Sequence, residues 1–148
     1  LDVAIWPFAG PLDALLARGG LVVAESYPAE FYGHVGILFE RAAGGKRRQN
    51  ARASNAKPLL TWAAANPVVL SDALEVALRN GFGAAADGED RFDAIVGLFG
   101  MLNILFGHRQ AGKPDDGAAR RVEGWILGLA DGRSVDASSL SRQPRETD

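Results

Sequence analysis

The 148 residues contain no cysteine, which excludes a disulfide, a thiolate nucleophile and a zinc-finger-type site. Histidine is nearly absent as well. Only His34 and His108 occur, so a histidine-rich metal site is excluded too. Any metal would have to be held by oxygen, which points to magnesium or manganese. No apolar run is long and uninterrupted enough to span a bilayer, and no signal peptide is recognisable. Cytoplasm is therefore the expected compartment, with no membrane partner. There is no internal repeat, P-loop, dinucleotide fingerprint or Gly-x-Ser-x-Gly elbow.

What is present describes an ordinary globular chain. Hydrophobic residues make up 47% and charged residues 23%, and the length suits one domain with a real core. The sequence starts at Leu1 directly in an apolar segment, as expected of a chain lacking its natural beginning. The dominant stretch is Gly88 to Gly107. Phe92, Ile95, Val96, Phe99, Leu102 and Phe106 recur at helical spacing and predict a long helix buried on most sides. Its mouth carries Glu89, Asp90 and Asp93, whose spacings let all three project from neighbouring turns. Gly97 and Gly100 continue the Asp93 strip, leaving a bare groove in which another backbone, expected to be a strand, can approach closely.

Ahead of that helix, Val3–Trp6 reads as a short buried strand stopped by Pro7, and Pro11–Arg18 as a helix ended by Gly19-Gly20. Leu21–Glu25 is a continuous apolar run ending in a carboxylate, predicting an interior strand covered on both faces. Ser26-Tyr27-Pro28 then turns the chain into a helix through Phe31, Val35 and Leu38. A strand end with an acid before a helix is where α/β folds place ligands; a solvated strand terminus is the plainer account of Glu25.

Charge then changes abruptly. No acid occurs from Arg41 to Ser71, whereas Arg41, Lys46, Arg47, Arg48, Arg52 and Lys57 do. Such a patch can contact phosphates, although a short run of this kind also serves as a solvated helix face. Pro58 opens a helical piece that Pro67 ends, and Ser71 caps a helix over Asp72–Asn80 with Gly81 at its exit. From Asp72 to Asp93 the balance reverses, with six acids against Arg79 and Arg91. His108 reads as a cap at the end of the long helix. Lys113–Gly117 reads as a loop, Val122–Leu129 as the last apolar run, and the polar segment from Asp131 onward as a mobile tail.

Several of these strings together resemble one known set. They are Trp6-Pro7-Phe8, Val22-Val23-Ala24-Glu25-Ser26-Tyr27-Pro28-Ala29-Glu30, and Gly45-Lys46-Arg47-Arg48-Gln49 with Arg52. Gly81-Phe82-Gly83, Gly88-Glu89-Asp90-Arg91-Phe92-Asp93-Ala94 and Glu123-Gly124-Trp125-Ile126 complete it. The chain from about Trp6 to Leu129 is similar to the C-terminal half of a bacterial domain-of-unknown-function family described as predicted RNase H-like nucleases. The resemblance implies a mixed sheet whose acids bind divalent cations. Glu25 matches the acid at a strand end, Asp90 and Asp93 match the pair at the start of the last helix, and Glu89 is a substitute. The aspartate of the first strand has no counterpart, since Asp2 and Asp13 stand in the wrong context.

The expectation is a helix-rich α/β domain over residues 1–130, a partial RNase H-like sheet lacking its first strands, with a tail over 131–148. The sheet would comprise Val3–Trp6, Leu21–Glu25 and Trp125–Leu127. A sheet that small leaves a face or edge for a homodimer partner or for the missing N-terminal half. Two functions remain open. One is a two-metal nuclease, inactive if the chain is a truncated relative, with two Mg2+ or Mn2+ ions held by Glu25, Asp90 and Asp93, Glu89 as a substitute, and the nucleic-acid backbone held by Lys46, Arg47, Arg48 and Arg52. It expects the carboxylates of Glu25 and Asp93 to share a cation. The other is a non-catalytic interaction module whose acids stabilise a helix start by about 0.3–1 kcal/mol each.

Overall fold

A computed structural model describes residues 2–39, 44–112 and 125–129. Lys113–Gly117, the residues from Asp131 onward and the start of the Val122–Leu129 run lie outside them. The architecture is a helix-rich α/β fold with, among the described residues, one two-stranded parallel sheet. Strand β1 (Val3–Ile5) leads through helix α1 (Leu12–Arg18) to strand β2 (Leu21–Val23), with Val3, Ala4 and Ile5 opposite Leu21, Val22 and Val23. A parallel pair needs such a crossover. β1 stops at a cis Trp6-Pro7 peptide. Gly19 and Gly20, both at positive φ, return the chain to β2, where a Cβ on Gly20 would collide with the Asp2 carbonyl. Beyond β2, Glu25 forms a parallel bridge with Ile126, and its carbonyl accepts from Leu127 N–H at 2.9 Å. The expected third strand over Trp125–Leu127 is thus a single isolated bridge beyond β2, and the sheet among the described residues has two strands.

The strand expected to be covered on both faces is covered on one. Leu21 and Val23 alternate with the half-buried Val22 and Ala24. Val3, Ile5, Leu21 and Val23 remain 45–54% exposed as one apolar face. A continuous apolar run is compatible with either arrangement, because its composition does not say what lies above it.

After β2 the helix expected through Phe31, Val35 and Leu38 is broken into helix α2 (Pro28–Phe31) and a 3-10 turn over Gly33–Val35. Gly36 at φ 74 ends that turn, and Leu38 beyond it is 82% exposed rather than packed. A second 3-10 turn spans Gly45–Arg47, followed by α3 (Gln49–Ser54), α4 (Ala56–Ala64) and α5 (Asp72–Arg79). Ser71 caps α5, its Oγ accepting from Leu74 N–H at 3.3 Å.

Helix α6 (Gly88–Leu105) is the centre of the packing. Phe92, Val96 and Phe99 are at most 1% exposed and meet Phe31, Leu59 and Leu78 in the core. Each such side chain contributes on the order of 1.5–3 kcal/mol by leaving water. Trp62 of α4 lies against Phe99 and donates its Nε1–H to the buried Asn103 Oδ1 at 3.0 Å. At the far end His108 N–H reaches the Asn103 carbonyl at 3.0 Å around Gly107, φ 76, and its ring meets Asn66 Oδ1.

The glycine groove of α6 is occupied, but by a helix rather than a strand. Pro28 and Ser26 lie beside Gly97, and the ring of Phe31 fills the position where any side chain on Gly100 would go. Among the described residues, no helix is long and apolar enough to cross a membrane.

Candidate functional site

Glu89 and Asp93 leave α6 one turn apart on the same strip. The Gly45–Arg47 turn lays Lys46 over them, with Nζ 2.5 Å from Asp93 Oδ2 and 3.2 Å from Glu89 Oε1. From the other side Tyr32, which closes α2, donates its hydroxyl to Asp93 Oδ1 at 2.5 Å. Both oxygens of Asp93 are thus engaged. The side chains retain 34% exposure for Lys46, 28% for Glu89 and 21% for Asp93, so this is a half-sheltered network and not a freely solvated surface pair. Burial acts against the charge on Lys46, but its hydrogen bonds to Asp93 and then Glu89 outweigh that and hold the ammonium above its usual range. The Tyr32 phenol is pushed up too, first by burial and then by its bond to Asp93.

The other acids are placed differently. Asp90 is exposed on α6 and makes no ion pair among the described residues. Glu25 is exposed at the end of β2, tied to Ile126 and Leu127 through its backbone. The stretch that follows Glu25 passes beside α6. A Cβ on Gly97, one turn beyond Asp93, would stand 3.9 Å from Ser26 Oγ and 3.8 Å from Pro28 Cγ. Ser26 and Pro28 therefore lie about one turn of α6 from Asp93, whereas the Glu25 carboxylate makes no hydrogen bond or ion pair with this network among the described residues. Among the described residues no three histidine, aspartate or glutamate side chains converge as a metal ion would require.

The basic residues divide in the same way. Arg47 and Arg48 are exposed and have no ion-pair partner among the described residues. Lys46 is turned onto the acids. Arg52, expected to meet a phosphate, is 1% exposed and bound to main-chain carbonyls; its guanidinium is part of the interior. The charge run was legible in the sequence, but its sign could not say which way each member faces. Tyr32 carried no local signal at all, since its partner lies 61 residues away.

The convergence of Glu89 and Asp93 on one ammonium is also a test of cation fit. Two carboxylates that reach the same positive centre suit one hard cation, whose remaining positions are ordinarily filled by water and substrate phosphates. They do not make a two-ion centre by themselves. A separate open groove of about 570 Å³, lined by Ala56, Lys57, Leu60 and Arg79 among others, includes none of these residues. Compared with known protein families, curated proteins and solved structures, the chain matches none.

Proposed function

We propose that this chain carries the helix half of an RNase H-like, divalent-metal-dependent nuclease site, in which Lys46 stands where a cation would be held. The observation that carries the reading is the meeting of Glu89 and Asp93 on a single positive point. Asp93 and Glu89 would hold Mg2+ or Mn2+, flanked by Asp90 on the same helix and by Glu25 at the strand end. Such an ion, when bound, supplies an activated water and stabilises the leaving oxygen of a phosphodiester. The protein's own groups do the rest. Tyr32 fixes the orientation of Asp93 through Oδ1, and the exposed Arg47 and Arg48 hold a nucleic-acid backbone without reading its bases. A cytoplasmic location, and a partner on the bare sheet face, belong to the same proposal.

Manganese titration by water-proton relaxation tests it. The wild type is expected to bind Mn2+, Asp93→Asn to lose that binding, and Lys46→Ala to tighten it several-fold by removing a competing cation. Equal binding by all three would remove the site. The second reading, a non-catalytic module, is favoured by the same lysine, since an ammonium already neutralises both acids. It expects no Mn2+ binding by any of the three proteins, with Lys46→Ala changing only stability.

A further inference from the structure

Arg52 is the most deeply buried charged side chain among the described residues, and no carboxylate pairs with it there. Its donors go to backbone carbonyls: Nε to Gly81 at 2.8 Å, Nη1 to Lys46 at 2.7 Å and Arg47 at 3.0 Å, Nη2 to Gly83 at 2.7 Å. Burying a charge without such partners is very costly. The carbonyls belong to two separate stretches. One is the 3-10 turn that carries Lys46, and the other is the exit of α5. At that exit Gly81, Phe82 and Gly83 have φ values of 56°, 59° and 77°. A non-glycine residue in this region costs about 1–2 kcal/mol, so the exit is bent around the guanidinium at some expense. Gly88, the first residue of α6 and the neighbour of Glu89, has no room for a side chain there: its Cβ would lie 2.6 Å from Arg52 Nη2. One side chain therefore references the Lys46 turn to the helix that carries Glu89 and Asp93.

We infer that Arg52 is a positioning residue of the acid cluster, setting the Lys46 ammonium between Glu89 and Asp93 without touching any of the three side chains. Its importance for activity rests on the nuclease reading, but the dependence of Lys46 on Arg52 does not. Without the guanidinium the carbonyls of Lys46 and Arg47 lose their donor and the 3-10 turn is free to shift. A shift of that turn carries the Lys46 backbone away from α6 and weakens the contacts of its ammonium with Glu89 and Asp93. The Tyr32 bond to Asp93 comes from α2 and is left in place.

A double-mutant cycle between Lys46→Met and Asp93→Asn, read by urea unfolding without metal, tests the inference. In the wild-type background the coupling is expected at about fivefold in the unfolding constant. In Arg52→Met, and in Gly88→Ala, which keeps the charge but presses on Nη2, the coupling is expected to fall to nearly none. Arg52→Lys is expected to restore part of it. A role confined to general stability lowers every arm alike and leaves the coupling unchanged; that outcome in a folded background overturns the inference. If Arg52→Met does not fold, the Gly88→Ala background decides alone. A negative manganese titration would sink the nuclease reading and leave this cycle untouched.

Discussion

Phe31 and Gly100 are complementary: the ring of one occupies the space that a side chain on the other would need. Gly97, one turn earlier on α6, has Pro28 only at ordinary contact distance, 3.8 Å from where its Cβ would be. Two glycines on one strip therefore differ in kind. Gly100→Ala is expected to cost about 1–3 kcal/mol through overpacking. Gly97→Ala is expected to be neutral or to stabilise by up to about 1 kcal/mol, as alanine suits a helix better. Urea midpoints of the two variants check this. Equal costs would mean that the ring of Phe31 moves aside freely.

His34 gives an acid-side prediction. Burial, and then the charge of Arg109, hold its pKa down to about 4. Its Nδ1 has no hydrogen-bond partner, and Nε2 lies 3.9 Å from Glu30 Oε1. An unfolded histidine titrates near pH 6.5, so below that value the unfolded chain binds the proton more readily than the folded one. The stability linked to neutral His34 is present above about pH 6.5 and is lost as pH falls towards 4. The advantage of the wild type over His34→Gln should shrink between pH 7 and pH 4.5 in parallel urea titrations. An advantage constant across that range would assign the acid sensitivity elsewhere.

The bare sheet face leads to a third prediction. Val3 and Ile5 lie in register with Leu21 and Val23, and all four side chains are about half exposed. Parallel sheets are ordinarily covered on both faces. Sedimentation is expected to show self-association of the wild type and its loss in Val23→Glu, with the circular dichroism unchanged. A wild type that remains monomeric at high concentration would discard this face as a contact between copies.

How much of this could be read from the sequence depends on whether the determining contact is local. The stripe Phe92, Val96, Phe99 was legible because helical periodicity alone selects the buried face. Ser71 was legible as a cap because its partner, Leu74 N–H, is three residues away. The apolar spacing of Phe31, Val35 and Leu38 predicts a continuous helix, whereas Gly36, at positive φ, ends the turn after Phe31. Lys46 and Arg52 looked alike as members of one basic run. They differ because one finds carboxylates and the other carbonyls, and an alternation of charges says nothing about carbonyls. The acids on α6 were visible as a group; that their counter-ion would come from the chain itself was not.

The hydrogen bond from Leu127 N–H to the Glu25 carbonyl joins parts of the chain about a hundred residues apart. With it Leu127 enters the core, and Gly128 settles against Phe31 and Ile104, where a Cβ would be 2.9 Å and 3.0 Å from their atoms. Contacts this distant in sequence cost more chain entropy to close than local ones. Tyr32, Lys46, Glu89 and Asp93 all precede this segment. The network around Asp93 takes none of its hydrogen-bond partners from the Trp125–Leu129 segment, whereas the Glu25 carbonyl does, so a chain ending before that segment would keep the whole network and lose the partner of Glu25.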